Sequence, residues 1–239
     1  MKKVFLFLTV IMSVVTLSSC DPDDEVDIPD QTLKVGETFT IPHDGSWTST
    51  NNYIAEVNGN VVNAVRVGEV KIKKKKSSFR LTVNPNITLF KDPYLKFGSD
   101  SASVDWAMRD FVLIAFMDDG TLYYADATTH VIYSYAFEDA KLKLSVVLVP
   151  ESNASEQQMN QYLNERYVFA VEADGTKGYL SPNGDLLVSY SHQEIFGYPF
   201  YAIGYGPYKT KTKALDTSYR ALFERIVKAL PKDAVSSLK

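Results

Sequence analysis

The side chains with the most chemistry to offer in this chain are one cysteine, three histidines and two adjacent aspartates. Cys20 has no partner for an intrachain disulfide, and one Cys with scattered His43, His130 and His192 cannot make a cysteine-rich zinc site. No histidine has a carboxylate or a second histidine at ligand or relay spacing, so each is expected at the surface beside a turn. Asp118-Asp119 has the residue types of an acid pair for glycoside hydrolysis. Directly before Gly120, however, the pair reads as a turn former. Ser181 lacks the G-x-S-x-G frame of a nucleophile elbow, and no glycine-rich phosphate loop opens a helix. No catalytic residue, metal ligand or cofactor is expected.

The remaining chemistry is aromatic. "EIFGYPFYAIGYGPY", residues 194–208, crowds Phe196, Tyr198, Phe200, Tyr201, Tyr205 and Tyr208 among Gly and Pro. Alternation along a strand can bury only about half of such a set. The others could stack on sugar rings or anchor a protein partner, since Tyr offers a large face and a polar tip. Tyr198, Tyr201 and Tyr205 are the candidate binding residues. The competing expectation is a strand buried on both faces, with its spare aromatics in turns.

Cys20 is explained by what precedes it. Lys2 and Lys3 lead into an apolar run from Val4 to Val15, broken only by Thr9 and Ser13. At about 1.5 Å per residue this run spans roughly 18 Å, well short of a bilayer core of about 30 Å. A basic start, a short apolar stretch and then small residues are the pattern of an export signal. Leu17-Ser18-Ser19-Cys20 resembles a bacterial lipobox. The resemblance implies that residues 1–19 are removed and that the Cys20 sulfur carries diacylglycerol. Each buried methylene contributes about 0.8 kcal/mol, and stable anchoring takes two or more chains. The three acyl chains implied by the resemblance would fix the protein to a membrane.

Asp21, Asp23, Asp24 and Glu25 follow, a self-repelling spacer that cannot pack. The stretch resembles the acidic signal that sends some Gram-negative lipoproteins to the outer face of the outer membrane. A plain linker on a periplasm-facing lipoprotein is the alternative. The net charge of −4 gives no reason to expect nucleic acid as a partner.

Residues 31–84 carry short β-rich pieces between Gly, Asn and Asp turns, the rhythm of a small antiparallel sandwich. Val35-Gly36-Glu37, Trp47-Thr48-Ser49, Ile54-Ala55-Glu56-Val57, Val61-Val62-Asn63-Ala64, Gly68 and Leu81-Thr82-Val83 stand in that order. Together they resemble the group 2 bacterial immunoglobulin-like domain, a spacer or adhesive module without catalytic residues. Trp47, Ile54, Val57, Val62 and Ile72 are the expected core. Gly36, Gly45, Gly59 and Gly68 are expected in turns with positive φ. Lys73–Lys76 would place two lysines on each face of a protected edge strand.

Residues 85–239, beyond the Asn84-Pro85-Asn86 turn, alternate helix and strand signals. Val104, Ala107, Met108 and Phe111 have helical spacing after Ser103, and strands follow at 112–117, 122–125, 131–137 and 142–149. A helix capped by Ser155 and Gln158 presents Met159, Tyr162 and Leu163, and four more strand signals follow, with Asp174-Gly175 and Asn183-Gly184 as turns. Val131, Tyr133, Tyr135 and Phe137 should share one strand face, and Leu142, Leu144, Val146 and Leu148 another. The order predicts an α+β domain with helices on antiparallel sheets and a possible internal duplication, in which Asp-Gly-Thr recurs at 119–121 and 174–176. A last helix near Asp216–Leu230 should pack on the second sheet. The region resembles the carboxy-terminal halves of uncharacterised surface lipoproteins, a likeness that supplies no activity.

The expectation is a lipid-anchored outer-membrane protein displayed at the cell surface. It is held to the membrane through Cys20 and acts as a non-enzymatic module binding a glycan or a surface protein. A hydrolase with residues gathered from distant loops, and a structural subunit of an envelope assembly, are the alternatives.

Overall fold

The computed structural model describes residues 25–208 together with Phe223, Glu224, Ile226 and Leu230. Cys20, the expected export signal and most of the expected last helix lie outside the described residues. The architecture is mixed α/β, with three sheets in which antiparallel pairing dominates and two short helices.

The first unit holds β1 (Gln31–Lys34), β2 (Thr38–Thr40), β3 (Thr48–Ser49), β4 (Ala55–Asn58), β5 (Val61–Ala64), β6 (Gly68–Lys74) and β7 (Ser77–Asn84). They form a four-stranded sheet in the order β1-β7-β6-β3 and a three-stranded sheet in the order β2-β5-β4. The β1–β7 pairing is parallel. Both sheets contribute to one core containing Trp47, Ile54, Val62, Ile72 and Phe79, with Val57 only half-buried at its margin. Trp47 packs edge-on to Phe79 at 6.1 Å and donates its indole N–H to the His43 carbonyl. Ile28 belongs to this core and Asp30 accepts from the Arg80 N–H, so the unit reaches upstream of residue 31. All four glycines named above have positive φ. At Gly68 a Cβ would sit 2.9 Å from Ile54, so that site is closed to larger residues by contact as well as by conformation.

The lysine run departs from its expectation. Only Lys73 and Lys74 lie in β6, an inner strand between β7 and β3; Lys75, at φ 44°, and Lys76 make the turn into β7. Lys73, Lys75 and Lys76 are exposed, and Lys74 Nζ donates to the Asp44 carbonyl at 2.8 Å. They guard no edge.

The second unit contains α1 (Ser101–Ala107), β8 (Val112–Phe116), β9 (Leu122–Ala125), β10 (Ile132–Glu138) and β11 (Lys141–Pro150). It continues with α2 (Glu156–Arg166), β12 (Val168–Ala173), β13 (Thr176–Leu180), β14 (Leu186–Ile195) and β15 (Tyr198–Pro207). The two four-strand runs do not make separate sheets. They form one eight-stranded sheet, β12-β13-β14-β15-β11-β10-β9-β8, joined where β11 and β15 pair antiparallel. That junction satisfies two edges that separate sheets would expose. Each first strand bulges at its third residue, between Leu113 and Ala115 in β8 and between Phe169 and Val171 in β12.

Both faces of this sheet are covered. On one face α1 and α2 bury Val104, Met108, Met159, Tyr162 and Leu163 over Tyr133, Tyr135, Tyr179 and Tyr205. On the other, Ile226 and Leu230 pack against Ile132, Val146, Leu148 and Phe200. Leu142 departs from the expected face and joins the helix-side core, whereas Leu144, Val146 and Leu148 lie opposite. The cause is a register shift between Ala136 and Phe137, where the opposing residues step from Leu144 to Leu142. The cap of α1 is Asp100 rather than Ser103: its carboxylate accepts the Ser103 N–H. The Ser155–Gln158 capping box forms as expected.

The two units touch through α2. Val67 N–H donates to the Glu165 carbonyl at 2.8 Å, and Arg66 Nε donates to the Tyr167 carbonyl at 3.1 Å. The Glu165 side chain, 6% exposed, accepts from the backbone N–H groups of Asn86 and Ile87 in the connecting segment.

Candidate functional site

After β11 the chain passes through a 3₁₀ turn, Glu151–Asn153, before Ser155 starts α2. The helix buries Met159, Tyr162 and Leu163, while its polar first turn stands over the sheet where β13, β14 and β15 run alongside. A cleft of about 680 Å³ remains between them, walled by Glu151 and Glu156 and floored by Lys177, Tyr190, His192 and Tyr201.

The floor is an aromatic row. His192 and Tyr201 are cross-strand partners with rings 5.3 Å apart and 30° from parallel. Tyr201 and Tyr190 stack at 6.1 Å and 22°. Tyr190 and Tyr201 are almost wholly covered, whereas the His192 side chain is 56% exposed and is the open end of the row. Glu151 holds that end, with Oε2 3.5 Å from His192 Nε2. At the other end Lys177 donates to Asn160 Oδ1 at 3.2 Å and lies 5.9 Å from the Tyr190 ring. Burial pushes the Tyr201 phenol above its ordinary pKa, and the Glu151 and Glu156 carboxylates push it further, so it stays a neutral hydroxyl. The same causes, with Tyr201 itself and Tyr179, hold Tyr190 un-ionised.

The three candidate tyrosines are not brought together. Tyr201 lines the cleft, one residue in two along β15 facing the helices. Tyr205 faces the same way but is completely buried, edge-on to Tyr167 at 6.2 Å. Tyr198 packs half-buried on the opposite face near Ile195 and Phe200. Phe196, 45% exposed, sits in the β14–β15 turn.

The other candidates resolve into local structure. Asp119 accepts the Thr121 N–H at 2.9 Å within its turn. Ser181 Oγ accepts from the Asp185 and Leu186 N–H groups at 3.1 and 3.0 Å, shaping the β13–β14 connection. Among the described residues no group of three or more His, Cys, Asp or Glu side chains is placed to hold a metal ion. No described helix is long and apolar enough to cross a membrane.

Sequence reasoning missed Glu151, Lys177, Tyr190 and His192 as a group. Strand pairing gathers Lys177 with Tyr190 and His192, and the turn leaving β11 brings Glu151 to them. No local motif carries that information. Comparison with protein-family models, with curated proteins and with solved structures finds no match to this chain.

Proposed function

We propose that this chain is a lipoprotein anchored through Cys20 to the outer membrane and displayed at the cell surface, where it binds a glycan without transforming it. An immunoglobulin-like sandwich built on the Trp47 core serves as the spacer. It carries an internally duplicated α+β module.

Three features support the duplication. Helix–four-strand order occurs twice, and each first strand bulges at its third residue. Aligning the two sets of strands superposes Asp119-Gly120-Thr121 on Asp174-Gly175-Thr176 and Tyr124 on Tyr179. It also superposes Ser134-Tyr135 on Ser189-Tyr190. These residue pairs keep one separation along the chain, and the bulged residues Ile114 and Ala170 lie one residue further apart.

The observation that carries the functional reading is the aromatic row at the base of a polar cleft. Saccharides present apolar C–H faces and a rim of hydroxyls; the exposed His192 ring, backed by the Tyr201–Tyr190 stack and flanked by carboxylates and amides, complements both. A glycan array probed with the chain lacking residues 1–19 should return binders that weaken at least tenfold in His192→Ala and Tyr201→Ala. Absence of any glycan binding, or binding indifferent to both substitutions, would refute the reading. Anchoring is tested separately: Cys20→Ala should move the protein from the membrane fraction to the soluble one. Persistence in the membrane fraction would refute the tether.

A further inference from the structure

We infer that the saccharide accepted by the cleft carries a free amino group. This rests on the glycan reading above and adds its charge class.

The cleft belongs to one of the two copies. The same strand alignment places Lys177 on Leu122, Tyr190 on Tyr135, His192 on Phe137 and Tyr201 on Leu142. In the first copy this surface is apolar and closed. Leu122, Tyr135 and Leu142 are buried, and the segment before α1 lies over them. That segment is fastened by Gly98 N–H to the Leu142 carbonyl at 2.9 Å, by Leu142 N–H to the Ser99 carbonyl at 2.8 Å, and by Tyr94 N–H to Tyr135 Oη at 3.1 Å. In the second copy the residues replacing the apolar ones are polar or titratable, and the 3₁₀ turn stands off the sheet and leaves space. One scaffold thus packs this position in one copy and opens it in the other. Packing alone does not call for Lys, His and Tyr where Leu, Phe and Leu suffice.

Charge then narrows the ligand. The walls bring three carboxylates, Glu151, Glu156 and Glu172, against a single ammonium, that of Lys177. Lys177 is already engaged by Asn160 and sits directly across from Glu172 on the neighbouring strand. Glu151 is turned to His192, and neither Glu156 nor Glu172 has a cation at ion-pair distance among the described residues. A concave site with an excess of one sign focuses its field on whatever enters. A uronic or sialic acid would meet repulsion there, and an N-acetylated sugar would leave the carboxylates without a charged partner. An ammonium on a pyranose ring would lie beside the row with its N–H groups offered to the carboxylates.

The test is titration calorimetry of the chain lacking residues 1–19 with a glucosamine tetramer, its N-acetylated counterpart and a galacturonic acid tetramer. The expected result is a free-amine tetramer bound about tenfold more tightly than the N-acetylated one, with the acid not bound. Glu156→Gln with Glu172→Gln should erase that preference, bringing the free-amine tetramer to within about twofold of the N-acetylated one. Both glutamates are surface residues, so the double variant should fold; its unfolding curve checks this. Equal affinity for the first two tetramers, tighter binding of the acid, or a preference that survives the double substitution would overturn the inference. If none of the tetramers binds and no array glycan does either, the glycan reading itself has failed.

Discussion

Glu165 sits where a carboxylate should be least welcome. It is nearly buried, and it occupies the last turn of α2, whose C-terminal dipole repels negative charge. Its compensation is specific. Gln161 Nε2 donates at 2.7 Å, Asn86 N–H at 2.8 Å and Ile87 N–H, more weakly, at 3.3 Å. The next residue, Arg166, grips the same segment by donating to the Ile87 carbonyl at 3.0 Å, with its guanidinium 3.9 Å from the Tyr162 ring centre. Glu165→Ala removes the acceptor of two well-formed charge-assisted bonds. At roughly 1.5 kcal/mol net for each, the loss should be about 3 kcal/mol at pH 7. For a chain of this size that lowers the melting temperature by about 6–12 °C. Glu165→Gln keeps one carbonyl oxygen and should lose about half as much.

The pH dependence has a definite sign. Burial raises the Glu165 pKa, but the hydrogen bonds from Gln161, Asn86 and Ile87 outweigh it, leaving the folded value below the ordinary 4.5. The unfolded carboxyl therefore takes up a proton first as pH falls. The stabilisation is fully present above about pH 5.5 and declines as pH drops through the folded value. Urea unfolding of wild type and Glu165→Ala from pH 7 to pH 3 should show a gap constant near neutrality that narrows in acid. A gap under about 1 kcal/mol at pH 7, or one that widens in acid, would refute the account of Glu165 as the residue that ties the connecting segment to α2.

Gly204→Ala should destabilise by about 1–3 kcal/mol, because the new methyl would meet Ser189 Oγ at 2.7 Å and the Phe223 ring at 2.8 Å; thermal unfolding measures it. Ser155→Ala breaks the capping box of α2 and should cost about 1 kcal/mol in the same assay. Tyr205→Phe should cost less than about 1 kcal/mol or stabilise slightly, since the Tyr205 hydroxyl is fully buried without a well-formed hydrogen bond. A loss above 2 kcal/mol would show that this hydroxyl is anchored by its neighbours Tyr162 and Tyr167.

Most elements were legible in the sequence because they are local. The capping box at Ser155, the Asp174-Gly175 turn and the glycines of the first unit follow from backbone chemistry within four residues. Two strands escaped. β1 alternates half-buried with exposed residues, and β3 is only two residues long, so neither shows a hydrophobic period. Strand faces in the second unit were harder to assign because both sheet faces are covered, which removes the alternation that marks a half-solvated strand. The single-residue skip near Phe137 then moved Leu142 across the sheet without leaving a mark in the pattern.

The candidate site was the least legible part, and the reason is geometric. Residues 194–208 looked like a binding tract because they are aromatic and contiguous. Contiguity on a strand is what divides such a tract between two faces, and it sent Tyr198 away from Tyr201 and drove Tyr205 into the core. A sheet surface is assembled across strands, so the row that lines the cleft reads Tyr190, Tyr201, His192, two residues from one strand and one from its neighbour. The two four-strand runs in turn pair through their last strands, β11 and β15. That brings the start of α2, reached directly from β11, over the residues of β14 and β15. Glu151 therefore reaches the cleft from the connection between the two runs of strands, and Glu156 from the first turn of α2. The cleft is thus a product of the junction: the second run of strands supplies its floor, and the connection leaving β11 supplies part of its wall.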